Sequence, residues 1–201
     1  IMTAIIFSTQ QEAQYFLKQY HAGRFDGLSE GQYDQDNNLI VAITGVGKIK
    51  ATLRSEQIIK STKPSKVLHI GTATKYNPQF DNSEIIACTQ VFEGDRSEFT
   101  MPIYPRLSLE TPFKHLKEGI LVTQEHISKD PKDRVYWQKI ADLSDMESYA
   151  IVFVAASNGV PCHVTKVAIG ESKNVPIKTI LQKSYQQIST FLLDALAQKM
   201  I

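Results

Sequence analysis

Residues 39–48 read LIVAITGVGK. An uncharged run rich in β-branched residues, stopped by two glycines, is the pattern of a buried strand followed by a tight turn. After the turn the pattern becomes helical, and a helix is expected from Lys48 to Ser61. It must close before Lys63-Pro64, because the residue preceding a proline is driven out of helical backbone. A second strand is expected at Lys66 to Ile70. Strand, helix and strand in that order is the alternation of an α/β fold.

The same alternation extends in both directions. Upstream, Thr3 to Phe7 (TAIIF) reads as a strand. Thr9 to Tyr20 follows as a helix, with Ala13, Phe16, Leu17 and Tyr20 on one face. Downstream, strands are expected at Glu84 to Phe92, Gly119 to Thr123 and Pro161 to Ile169. Helices are expected at Pro131 to Ala141, Met146 to Asn158 and Pro176 to Met200, the last with proline near its first position. Gly94 to Glu118 contains three prolines and no clean period and reads as a long loop. The expected architecture is α/β: a three-layer sandwich with a mixed, mostly parallel central sheet and helices on both faces, in one domain spanning residues 1–201.

Composition narrows the function. The chain has 201 residues, 22 Lys+Arg against 21 Asp+Glu, and a formal charge of +1. That balance gives no uniform field to attract nucleic acid or a membrane surface. No apolar run approaches the roughly 20 residues of a membrane helix. Ile1 to Ser8 lacks the features of a secretory leader. Cys88 and Cys162 do not make a disulfide framework and read as reduced residues of a cytoplasmic protein. The five histidines show no ligand spacing, so neither a metal nor another cofactor is expected.

In α/β sheets ligands gather beyond the carboxyl ends of the strands. Five loops therefore matter: Ser8 to Glu12, Gly45 to Lys48, Gly71 to Thr74, Gln124 to Lys129 and Gly170 to Asn174. Glu12 is placed to act as a general base, although Thr9 with Glu12 also spells a capping box, an ordinary helix start. Gly45-Val46-Gly47-Lys48 lets the backbone approach an anion at a helix N-terminus, or is simply a tight turn; it is not a Walker motif. Gly71, Thr72 and Ala73 are small enough for close approach of a ligand, and equally suit a crowded turn. Glu147, after Asp145-Met146, can grip sugar hydroxyls with two oxygens or merely favour a helix start. Glu171 reads as a general acid or as a solvated loop carboxylate.

Taken in order, these loops resemble the nucleoside phosphorylase/nucleosidase superfamily, in particular the methylthioadenosine/S-adenosylhomocysteine nucleosidases. The resemblance is carried by Glu12 at the first helix start, Gly45-Val46-Gly47-Lys48, Gly71-Thr72-Ala73, Glu93-Gly94-Asp95, Gly119-Ile120-Leu121-Val122 and Asp145-Met146-Glu147. It implies hydrolysis of the bond between ribose and adenine, a homodimer in the cytoplasm, and a small nucleoside as the only partner. Glu12 falls at the water-activating position. Glu171 falls where such enzymes carry an Asp that protonates the leaving purine; the usual Ser-Asp pair reads Gly170-Glu171 here. Ser8, Gly71, Thr72, Ala73, Ile127, Ser128, Met146 and Glu147 fall at substrate-contacting positions. Ile127 stands where an aromatic ring stacks on the purine, worth roughly 1–3 kcal/mol elsewhere.

Two other readings share the fold. A phosphorylase would use phosphate as nucleophile; relatives hold it with an arginine near the Gly71 turn, where this chain offers His69, a poorer fixed cation. A noncatalytic nucleoside-binding protein would retain the fold alone. The hydrolase reading requires Glu12, Glu147 and Glu171 to converge on one sugar ring.

Overall fold

The computed structural model describes residues 1–95, 104–126 and 130–201. The elements are β1 (Thr3–Phe7), α1 (Gln10–Gln19), β2 (Tyr33–Asp36), β3 (Leu39–Ile43), α2 (Lys48–Thr62), β4 (Lys66–Lys75), β5 (Ile85–Glu93), β6 (Arg106–Ser108), β7 (Lys117–Thr123), α3 (Pro131–Trp137), β8 (Leu143–Asp145), α4 (Ser148–Ser157), β9 (Cys162–Ile169) and α5 (Ile177–Ala197). The α/β alternation read from residues 39–70 is present. So is the break at Lys63, which takes a left-handed conformation (φ 48°) before Pro64.

The two faces of the first strands explain their continuous apolar character. Ile5 and Phe7 of β1 share one cluster with Val41 of β3, Leu68 and Ile70 of β4, Ala13 and Phe16 of α1, and Ile188 and Leu192 of α5. The alternate residues Ala4, Ile6, Ile40, Ala42 and Val67 pack with Ala51 and Ile58 of α2 and Ile151 and Ala155 of α4. A strand buried on both faces cannot show the polar alternation of a half-exposed one.

Strand order is β2-β3-β1-β4-β8-β7-β5-β6, with β9 pairing both β4 and β5. The pairings β4–β8, β8–β7, β7–β5, β5–β9 and β9–β4 therefore form a closed cycle, with β1, β3 and β2 extending from β4. Among the described residues β1–β3, β1–β4, β4–β9, β5–β7 and β7–β8 are parallel, while β2–β3, β4–β8, β5–β6 and β5–β9 are antiparallel. The sheet is mixed, with a larger antiparallel share than the alternation predicts. Ile86, Cys88, Leu121, Val164 and Ala168 from strands of the cycle form a third cluster that also includes Val152 of α4.

Three strands lie where none was expected. Polar β2 is an edge ribbon, β6 falls inside the supposed loop, and three-residue β8 precedes the site. The helix expected from Met146 starts at Ser148, with Glu147 as its N-cap residue; the Asp145 carboxylate, two residues before the cap, accepts the Ser148 N–H at 3.1 Å and hydroxyl at 2.5 Å. β4 runs on to Lys75, carrying Gly71–Thr74 inside the sheet rather than in a turn. Cys88 and Cys162 are free thiols. No helix among the described residues is long and apolar enough to cross a membrane.

Candidate active site

The carboxyl ends of β1, β4, β8 and β9 meet around a cavity of about 180 Å³, lined in part by Ser8, Glu12, Thr72, Asp145, Met146 and Glu147. Thr9, Val46, Ala73, Thr74, Ser144 and Ile169 complete the wall. Most of the loops chosen from the sequence thus converge.

Glu12 forms the capping box and also reaches the cavity wall. The Glu12 N–H donates to Thr9 Oγ1 at 3.2 Å, and Thr9 N–H donates to Glu12 Oε2 at 3.1 Å, a complete capping box. The other oxygen, Oε1, accepts the Thr72 N–H at 2.7 Å and the Thr72 hydroxyl at 2.9 Å. The helix cap therefore aims the carboxylate across to β4. Gly71 makes room for it: a Cβ there would stand 2.7 Å from Glu12 Oε1. Gly71 lies beneath the carboxylate rather than on the cavity wall, and its smallness serves the protein's own acid.

Glu147 sits opposite. It is buried, and Oε1 accepts the Gly47 N–H at 2.9 Å, leaving the second oxygen for a ligand. Its side chain makes no helix-cap bond; the Asp145 carboxylate accepts the Ser148 N–H instead. Burial and the neighbouring Asp145 push its pKa up to about 7. Two amides of the glycine turn before α2 are taken by the chain's own carboxylates. Gly47 N–H serves Glu147, Lys48 N–H donates to Glu125 at 2.6 Å, and the Lys48 ammonium bridges Glu93 (2.8 Å) and Asp95 (2.6 Å). Of the two readings of this turn, an anion site or an ordinary tight turn, the Gly47 and Lys48 amides serve neither a free anion nor solvent but Glu147 and Glu125.

Beneath Glu147 lies a polar cluster that periodicity did not reveal. Lys166 of β9 is 1% exposed; its ammonium donates to Asp145 Oδ2 at 2.9 Å and to His69 Nε2 at 2.7 Å. His69 Nδ1 faces the Ile6 carbonyl at 2.9 Å, so it carries the ring proton and Nε2 is the acceptor. Burial and Lys166 hold His69 neutral, so it is not the cation a phosphate would need. Burial alone would raise Asp145, but Lys166 and Ser148 hold its carboxyl well below the usual range. His69, Asp145 and Glu147 offer atoms within 4.8 Å of one another, a grouping compatible with a metal ion. Two of the three are already bonded to the Lys166 ammonium, a cation supplied by the chain itself. The signal available in the sequence was a lysine inside CHVTKVAI, since a charge in a buried strand must be paired.

The remaining expected residues divide. Ser8, Thr72, Ala73, Met146 and Glu147 line the cavity. The Ser8 hydroxyl is buried and has no hydrogen-bond partner among the described residues. Ile127 and Ser128 lie outside the described residues. Glu171 is exposed, one residue past Gly170, and does not line the cavity. Of the three carboxylates expected to converge, Glu12 and Glu147 do so, and Asp145 rather than Glu171 is the third. Gly170 is held by packing: a Cβ would meet Lys75 Cε at 2.8 Å, and its carbonyl accepts Asn82 Nδ2 at 3.1 Å.

A family model described as "Phosphorylase superfamily" matches residues 3–195. The chain belongs to that superfamily. An aminodeoxyfutalosine nucleosidase of Helicobacter pylori is 26% identical over 182 residues, covering 78% of this chain and 79% of that protein. One of Campylobacter jejuni is 21% identical over 154 residues, covering 66% and 67%. Among solved structures, a futalosine hydrolase mutant of Helicobacter pylori superimposes with TM-score 0.82 at 19% identity, covering 98% of this chain and all of that one. A 5′-methylthioadenosine/S-adenosyl homocysteine nucleosidase of Campylobacter jejuni gives 0.80 at 18% identity, covering 98% and 99%. Within the phosphorylase superfamily, the cavity described above is the site to explain.

Proposed function

We propose that the protein is a hydrolytic nucleosidase that cleaves the N-glycosidic bond of a purine nucleoside with water and releases the free base. The observation that carries this reading is the setting of Glu12. Its carboxylate already holds the Thr72 and Thr9 amides on the cavity wall, and no lysine or arginine lines that cavity among the described residues. An inorganic phosphate would meet an anion where it needs donors; a water molecule would meet a base. The names of the nucleosidase relatives support the same direction.

In this mechanism Glu12 accepts a proton as water oxygen bonds to ribose C1′ and the C1′–N bond breaks. The free oxygen of Glu147 accepts hydrogen bonds from the sugar hydroxyls, and the Ser8 hydroxyl adds a further donor. The departing base takes its proton from a water molecule at the cavity mouth, because Glu171 is exposed and does not line the cavity. The position of Glu171 also favours a second reading, a noncatalytic nucleoside-binding protein. One assay separates them: incubation with a panel of purine nucleosides, including 5′-thio-substituted adenosines, in buffers with and without phosphate, scored for free base. Release without phosphate supports hydrolysis; binding without release supports the second reading.

A homodimer is part of the proposal. Val46, Ile49 and Leu53 on and before α2 are exposed, as is Phe153 on α4, whose ring stacks on Tyr149 at 6.2 Å. The two helices pack against each other, and Val46 also lines the cavity, so a second copy seated on α2 and α4 would bury exposed apolar side chains next to the site. A second copy there fits the resemblance.

A further inference from the structure

Three buried carboxyl groups meet at this cavity. Glu12, Asp145 and Glu147 are all buried. Among the described residues Lys166 is the only buried lysine or arginine. An ammonium taken out of water is costly unless it is paired and hydrogen-bonded. Lys166 meets that condition with Asp145 at 2.9 Å and His69 Nε2 at 2.7 Å, and its charge also interacts with Glu12 and Glu147. The groups facing it are therefore Asp145 from β8, His69 from β4, Glu147 from the start of α4 and Glu12 from α1. The thiols of Cys88 on β5 and Cys162 on β9 also face it, and burial keeps both neutral.

Asp145 in turn is anchored to the frame. Thr123 Oγ1 donates to it at 2.7 Å, and the Ser148 N–H and hydroxyl donate as well. Thr123 Oγ1 accepts the Tyr149 N–H at 2.9 Å. A network of bonds thus runs from the His69 contact with the Ile6 carbonyl through Lys166 and Asp145 to the first turn of α4, which presents Glu147.

We infer that Lys166 is a positioning residue of the sugar end of this cavity: its buried ammonium, bonded to Asp145 and His69, supplies the internal positive charge against which Glu12 and Glu147 are assembled. It touches no reacting atom in this scheme and acts through the carboxylates. Its link to turnover rests on the nucleosidase reading; its effect on the carboxylates does not.

The test is a ¹³C NMR titration of the Glu147 side-chain carboxyl in wild type, Lys166→Met and Lys166→Arg. Removing a nearby positive charge makes a carboxyl easier to protonate, so K166M should raise the Glu147 midpoint by about one pH unit or more, while K166R holds it near the wild-type value. An unchanged midpoint in K166M overturns the inference. If K166M does not fold, D145N and D145N/K166M give the same comparison without an unpaired buried carboxylate. In parallel, kcat/KM of K166M should fall at least about fivefold more at pH 6 than at pH 8.5, because the protonated carboxyl no longer accepts sugar hydroxyls. A purely structural role would lower it equally at every pH and would count against the inference. If wild type releases no base while the titration behaves as stated, the nucleosidase reading fails and the role of Lys166 stands.

Discussion

Glu12 shows how one side chain can satisfy a local rule and a distant one together. The capping box fixes its rotamer, and Thr72 then fixes where the carboxylate points. Glu12→Gln keeps the shape and one amide acceptor but removes the base. Turnover should fall at least about 10²-fold with ligand affinity largely retained. Glu171→Gln, by contrast, should cost less than about tenfold, because that carboxyl stands outside the cavity; steady-state kinetics on the two variants rank them directly. Gly71→Ala places a methyl 2.7 Å from Glu12 Oε1 and must displace it. We expect a loss of turnover approaching that of E12Q, with the cavity otherwise folded, and wild-type turnover in G71A would show that Glu12 need not sit where it does. At Glu147 the sign of the pH effect is set by a folded-state pKa of about 7, above the usual value. The protonated form is favoured by the fold, so that contribution is full below about pH 4.5 and is lost as pH rises through 7. Glu147→Gln should therefore be more stable than wild type at pH 8, by on the order of 1–3 kcal/mol, with the gap closing at pH 4.5. Urea denaturation at both pH values measures it, and an equal difference at the two would contradict the assignment.

At the scale of elements, what was legible depended on whether an element's period belonged to itself. The buried strands β1 and β3 and the helices α1, α2 and α5 carry their own apolar pattern, and the sequence located them within a few residues. β2 is polar because only an edge ribbon asks it to pair, and β6 and β8 are three residues each, too short to show any period. The start of α4 was misplaced because the acceptor for its first N–H is Asp145, which composition treats as one more helix-opening acid. The cavity was legible through the positions of Glu12 and Glu147 at strand ends, whereas Lys166 and His69 lay hidden inside strands, where apolar runs mask a single polar residue. The Thr9 cap is itself testable: Thr9→Ala should destabilise the protein by about 0.5–2 kcal/mol. Because Thr72 still holds Glu12, turnover should fall much less than in E12Q. A larger catalytic than structural effect would mean that the cap, not β4, positions the base.

For the whole molecule, the site exists because strands distant in sequence end together. Ser8 follows β1 and Glu12 opens α1, β4 carries His69 and Thr72, β8 carries Asp145, Glu147 precedes α4, and β9 carries Lys166. Another cavity, about 300 Å³ between Arg106 and the segment 138–142, lacks such convergence. Its one carboxylate, Asp142, is already engaged by the Ile120 N–H and Asn77 Nδ2, each at 2.8 Å. The proposed dimer belongs to this scale too: Leu53→Glu should leave the fold intact and yield a monomer by light scattering, with wild type a dimer. The measurement that reaches the centre of the account is release of free base from a purine nucleoside in phosphate-free buffer. We predict turnover that added phosphate leaves unchanged and that Glu12→Gln abolishes. Release only when phosphate is supplied, or release that survives loss of the Glu12 carboxylate, would contradict it.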